Sequence, residues 1–162
     1  FSFNNCFNSS FSLKGSLSGS NQIVPPSYNN SFAESHLYLN TRRRMKIRIP
    51  TIKKIAEQGS AVIVGRCSDY VLREMDCVLN VFLTSPLSVR VERICERHNL
   101  DADKAEALIL QKDKAREEYY NYYTFGNWGV ASTYDLCIDS SRLGIEGTAD
   151  YIIDFARRSG LL

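Results

Sequence analysis

The sequence predicts an α/β domain in three layers, a parallel sheet flanked by helices, and two observations carry that prediction. Three short runs, SAVIVGRC (60–67), CVLNVFLT (77–84) and YDLCIDSS (134–141), are dominated by apolar and β-branched residues. They lack the polar alternation of a half-exposed strand, so they read as strands buried on both faces. Helical patterns follow the second and third runs. Strand, strand, helix, helix, strand, helix is the order of a parallel sheet with crossover helices. With 162 residues and 44% hydrophobic content, the chain has the size and the apolar side chains of one ordinary domain.

Residues 1–45 read as a separate, irregular segment. They are rich in Asn, Ser and Gly, contain Pro25-Pro26, and carry few charges, a composition that favours loops. Within them NSFAESHLYL (30–39) suggests a short helix. The chain begins with Phe1, and Met45 offers an internal start; the expectation is a domain incomplete at its N-terminus. Residues 46–162 form the predicted core. Ile49, Ile52, Ile55 and Ala56 recur at helical spacing, and Pro50 suits a first turn, so a helix is expected from Ile49 or Pro50 to before Gly59. Ser85 is the expected N-cap and Pro86 the first residue of a helix reaching about His98. Asp101 caps a long helix running to about Tyr123, and a last helix spans Ile145–Arg158 before Gly160. The two middle helices make a hairpin over about 88–125.

Bulk properties exclude several functions. A net charge of +2 gives no strong field for nucleic acid or a membrane surface. No run approaches the length of a spanning helix, and no charged n-region precedes an apolar h-region. The five cysteines form no C-x-x-C pair, and only two histidines accompany them, so a reduced, cytoplasmic protein without a metal centre is expected. Cys6, Cys77, Cys95 and Cys137 lie within or beside apolar runs and read as small buried hydrophobes. Cys67 is set apart, because it follows Arg66 in a loop-like stretch.

Parallel sheets bind ligands beyond the carboxyl ends of their strands, here Gly65-Arg66, Thr84-Ser85 and Asp139-Ser140-Ser141. Gly65 permits close approach of a ligand, Arg66 offers a planar fork for phosphate, and Asp69 offers a carboxylate to a base or ribose. A plain surface arginine paired with Asp69 or Glu74 is the alternative reading of Arg66. Arg90, Arg93 and Arg97 stand at i, i+3, i+7 on one helical stripe. They are either a solvated face balanced by Glu92 and Glu96 or the cationic part of a closing lid. Lys112, Asp113 and Arg116 fall within about one turn of the next helix. Tyr119, Tyr120 and Tyr123 read as packing and hydrogen-bonding groups. The basic run Arg42–Lys46 reads as a solvated helix start.

In order and spacing, SAVIVGRCSDYVLRE, LNVFLTSPLSVRVERI, KDKAREEYYNYYTFGNWG and YDLCIDSSRLGIEG resemble the cytidylate kinase-like family of P-loop nucleoside monophosphate kinases. The resemblance spans about residues 50–162. It implies ATP and Mg²⁺ as cofactors and a nucleoside monophosphate as acceptor, CMP or dCMP favoured. It implies that Arg66 and Asp69 hold the acceptor, with Cys67 where related enzymes carry an aspartate after Gly-Arg. Lys112-Asp113 resembles an Arg-Asp pair of those enzymes, with Arg116 nearby. Arg90, Arg93, Arg97 and Lys112 would neutralise the transferring phosphates. The family's glycine-rich donor loop has no match in this sequence. Lys14-Gly15-Ser16 is its nearest counterpart, but it lacks the first glycine and a preceding apolar strand. The resemblance therefore implies a retained acceptor and lid half, with residues 1–45 as a remnant of the monophosphate-binding insertion. A non-catalytic nucleotide-binding or interaction module is the alternative.

Overall fold

The computed structural model describes residues 9–14, 22–24, 49–65 and 67–162. In chain order these form β1 (Ser9–Lys14), β2 (Gln22–Val24), α1 (49–58), β3 (Ala61–Val64), α2 (Ser68–Leu72), β4 (Val78–Thr84), α3 (Leu87–His98), α4 (Ala102–Thr124), a 3₁₀ turn (Ala131–Thr133), β5 (Leu136–Asp139) and α5 (Ser140–Arg158). The helix expected over 30–39 and the basic run at Arg42–Lys46 lie outside the described residues.

All three predicted strands form, and each predicted helix within the described residues forms close to its expected bounds. The sheet has five strands in the order β2-β3-β1-β4-β5. β2 runs parallel to β3, and β4 runs parallel to β5. β1 is antiparallel to both neighbours, β3 and β4. Four strands therefore share one direction, as the apolar runs predict, and the central strand alone is reversed.

β1 and β2 correct the reading of the first 45 residues as irregular throughout. Composition hides the signal: Ser10, Phe11, Ser12 and Leu13 alternate with the period of a strand inside a Ser- and Asn-rich stretch. The gap between β3 and β4 then supplies ladder partners on both sides, Phe11 lying opposite Val64 and Val81. Tertiary pairing overrides weak local propensity here.

Alternating side chains of β3 and β4 build two cores. Ala61 and Ile63 pack with Ile52 and Ala56 of α1, Val71 and Leu72 of α2, and Tyr120 of α4. Val62, Leu79 and Val81 pack on the opposite face with Ile152 and Ala156 of α5. These are the two helical layers around the sheet. A third cluster joins Ile94 of α3 to Ala105 and Ile109 of α4, so the helical hairpin has a small core of its own.

Helix ends follow capping chemistry with one exception. The Asp101 carboxylate accepts from the Lys104 amide at 2.9 Å, as expected for an N-cap. Ser85 is not a cap. Pro86 has an extended ψ of 144° and holds the N-cap position, so α3 starts one residue later and the buried Ser85 hydroxyl has no partner among the described residues. In α5, Gly144 (φ 68°, ψ −175°) interrupts the helix after its first turn. That backbone geometry is essentially confined to glycine, and the regular part then matches the predicted Ile145–Arg158.

Phe125 ends α4 in the left-handed conformation (φ 55°) with 91% of its surface exposed. Glycine adopts that geometry without a Cβ penalty, and so exposed a ring adds little packing. Phe125→Gly is therefore expected to stabilise the protein by about 1 kcal/mol and raise Tm by roughly 2–4 °C. A thermal melt showing no change or a loss would mean that the ring contributes contacts in solution.

Candidate functional site

The parallel direction of β4 and β5 brings Thr84 opposite Asp139 at one edge of the sheet. Ser140 Oγ donates to the Thr84 carbonyl at 3.1 Å and ties the two strand ends together. Asp139 caps α5 by accepting from the Ser141 amide at 2.9 Å and from its hydroxyl at 2.7 Å. The Ser141 hydroxyl and amide, and then the charges of Arg142 and Arg93, hold the Asp139 carboxyl below the ordinary range. The Arg93 charge is thus felt at the end of β5.

Arg90 lies one turn into α3, its amide donating to the Pro86 carbonyl at 3.1 Å. Its guanidinium turns inward and donates through Nη2 to Asp113 Oδ2 of α4. The other oxygen of Asp113 accepts from Arg116 Nη1 at 3.3 Å. The Arg90 and Asp113 side chains are only 7% and 18% exposed. Arg90 Nε is buried without a partner among the described residues. The structure therefore unites Arg90, Asp113 and Arg116 in one ion-paired cluster joining the two helices of the hairpin. Arg93 and Lys112 are half-buried beside this group in sequence, whereas Arg97 is exposed near the end of α3.

Arg66 lies outside the described residues. The turn around it is built by Gly65 (φ 64°) and Cys67 (φ 53°), both left-handed. The Ser68 amide closes the turn onto the Gly65 carbonyl at 3.1 Å. Asp69 does not face solvent as a ligand carboxylate would. It is 8% exposed, and its Oδ2 accepts from the Tyr120 hydroxyl at 2.6 Å. Burial raises the Asp69 carboxyl, and the Tyr120 hydrogen bond only partly counters it. Burial, followed by the bond to Asp69, raises the Tyr120 hydroxyl as well. Tyr120 both packs and hydrogen-bonds, as its sequence reading has it, but its partner Asp69 was not foreseen. The signal was the inward stripe of α4, where Ala105, Ile109, Asp113, Arg116 and Tyr120 follow one another at steps of three or four residues.

Three cysteines reverse their expected environments: Cys67, set apart as loop-like, is buried, whereas Cys77 and Cys137 are exposed. Cys95 packs against the hairpin core as expected, and Cys6 lies outside the described residues. Cys77 sits in a left-handed turn before β4, and β5 is an edge strand with one open side. Burial, with the Asp69 charge second, pushes the Cys67 thiol up to about 12. Iodoacetamide at pH 8 is accordingly expected to modify Cys77 and Cys137 in the native protein but Cys67 only after unfolding, as mapped by peptide mass spectrometry. The linkage has a definite sign. The unfolded thiol releases its proton near 9.0 while the folded one holds it to about 12. The stability Cys67 contributes is therefore full below pH 9 and is lost as pH rises toward 12.

Lys14, the start of the nearest phosphate-loop counterpart, pairs with Ala61 and Val78, the first residues of β3 and β4. It lies at the edge opposite Thr84 and Asp139, because β1 is reversed. Among the described residues no three His, Cys, Asp or Glu side chains cluster as metal ligands. Among these residues no helix is long and apolar enough to cross a membrane.

Fold and edge together define an α/β domain on a mixed, mainly parallel sheet, with an arginine-bearing helical hairpin that begins at the carboxyl end of β4. The chain belongs to the cytidylate kinase-like family, whose model matches residues 12–142. It is similar to the cytidylate kinase of Methanocaldococcus jannaschii, with 31% identity over 101 residues covering 61% of this chain and 57% of that one. It also resembles the cytidylate kinase of Sulfolobus acidocaldarius, with 29% identity covering 72% of this chain and 63% of that one. The chain thus spans 57–63% of the length of these curated relatives. An uncharacterized protein from Eubacterium ventriosum shares the fold, with a TM-score of 0.62 at 24% identity covering 73% of this chain and 65% of that one.

Proposed function

We propose that this protein carries the acceptor and lid half of an ATP-dependent nucleoside monophosphate kinase, with CMP or dCMP as acceptor. The supporting observation is the Arg90–Asp113–Arg116 cluster, held one turn from the end of β4 in a chain of the cytidylate kinase-like family. Phosphoryl transfer relies on positioning and on positive charge around the transferred group. Arg66 would receive the acceptor phosphate in the turn after β3. Asp113 would meet the nucleoside, and Arg90, Arg93, Arg97 and Lys112 would surround the phosphates when the hairpin closes. An arriving phosphate would compete with Asp113 for the Arg90 guanidinium, and that exchange is how closure would be coupled to binding. Asp69 serves the acceptor from behind the turn rather than touching it.

ADP release measured on the full-length gene product with CMP, dCMP, UMP and AMP tests this reading. Turnover is expected with the cytidine nucleotides first, and no turnover with any of the four overturns it. A nucleotide-binding module without catalysis is the second reading. It is favoured by the placement of Lys14 at the edge away from Thr84 and Asp139, and its signature is CMP binding by a protein that never releases ADP.

A further inference from the structure

We propose that Tyr120 is a positioning residue: by holding the buried Asp69 carboxylate, it sets the β3–α2 turn that receives the acceptor phosphate. The inference rests on the acceptor reading above for its functional half and on geometry alone for its structural half. Asp69 is the second residue of α2, a helix of a single short turn that begins directly after Gly65 and Cys67. So short a helix has little stability of its own. Cys67, left-handed without being glycine, costs free energy unless the surroundings fix it. Cys67 makes no side-chain cap bond at the start of α2. What holds the turn is burial of Ser68, Asp69, Val71 and Leu72, a hydrogen bond from the Ser68 hydroxyl to the Ile63 carbonyl at 3.5 Å, and the long-range bond from Tyr120 to Asp69.

That bond arrives from a rigid element. α4 carries Asp113, Arg116 and Tyr120 at i, i+3 and i+7, on one face of a 23-residue helix. Asp113 fixes Arg90 of α3, and Tyr120 fixes Asp69 of α2. One helix face therefore registers the lid arginine and the acceptor turn against each other. Rigid placement of this kind is what phosphoryl transfer needs, since misplacement by about 1 Å can cost on the order of 10²-fold in rate. The ring of Tyr120 already belongs to the core around Cys67 and Leu72, so its removal would confuse packing with positioning. The hydroxyl is the part to test.

The experiment compares wild type, Tyr120→Phe, Asp69→Asn and Asp69→Ala in two measurements. The first, free of nucleotide, is hydrogen exchange at the Ser68 and Val71 amides, which close the turn onto Gly65 and Cys67 at 3.1 and 2.9 Å. Exchange at both is expected to accelerate about 10-fold or more in Tyr120→Phe relative to Ile152 in α5. The second is the Kd for CMP by titration calorimetry, expected to weaken about 5–10-fold in Tyr120→Phe and Asp69→Ala. Asp69→Asn keeps an oxygen for the Tyr120 hydroxyl, so its loss should be at least threefold smaller than that of Asp69→Ala. Unchanged exchange in Tyr120→Phe overturns the proposal whatever CMP does. So does an Asp69→Asn loss equal to that of Asp69→Ala, which would mark a charge touching the ligand. If folded wild type binds no CMP, the acceptor reading fails, and the exchange arm still decides whether Tyr120 holds the turn.

Discussion

Replacing Asp113 by alanine is expected to destabilise the protein by about 3–5 kcal/mol, because it strands the buried Arg90 charge. Arg90 has one side-chain partner among the described residues, and its Nε already has none. The guanidinium cannot reach water without opening the hairpin. Against a typical total of roughly 5–15 kcal/mol, that loss is a large fraction. Tm should fall by about 6–20 °C. The companion variant decides the mechanism. Arg90→Leu with Asp113→Leu removes both charges at similar volume and should recover most of the loss, since burying an ion pair offers little net gain over burying hydrocarbon. A fall under about 1 kcal/mol for Asp113→Ala would place the pair in the range of exposed ion pairs, screened by solvent.

Arg66→Ala is expected to carry the largest effect on ligand binding. A charged contact to a phosphate contributes roughly 1.5–3 kcal/mol, so CMP should bind about 10-fold more weakly or worse. In the full-length gene product kcat/KM should fall by at least the same factor. Arg66→Lys is a useful second arm. Lysine keeps the charge but loses the planar fork, so partial recovery would indicate that charge dominates and none would indicate bidentate geometry. Unaltered CMP affinity in Arg66→Ala would remove Arg66 from the acceptor site.

Much of this fold was legible from residues 46–162. β3 and β4 announce themselves because burial forces near-continuous apolar runs, β5 because its run is apolar and β-branched although it lies at the sheet edge, and α4 because Asp101 is a strong cap. β1 was not legible. Its partners lie 47 or more positions away, for example Lys14 opposite Ala61, and nothing local to SSFSLK says that a slot awaits it. The site divides along the same line. The spacing of Arg90, Arg93 and Arg97 puts them on one stripe of α3, but a shared stripe does not reveal what stands opposite at each height. Seven positions separate Arg90 from Arg97, about 10 Å along the axis. One end is buried against Asp113 of α4, and the other is exposed. Asp69 and Cys67 were misjudged for a related reason. A loop-like sequence after a strand gave no sign that the chain turns straight back into the core.

The reversed strand β1 has a consequence for how the protein behaves at high concentration. In the strand order it is the sole link between β3 and β4. A chain begun at Met45 would keep every helix described here. It would also hold β3 and the β4–β5 pair apart by two strand spacings, about 9.5 Å, with unpaired amides and carbonyls lining both sides of the gap. Such a slot accepts any extended peptide, including the strand of another copy. β1 is thus a plug as much as a strand, and versions of this chain that lack it should precipitate long before their helices melt.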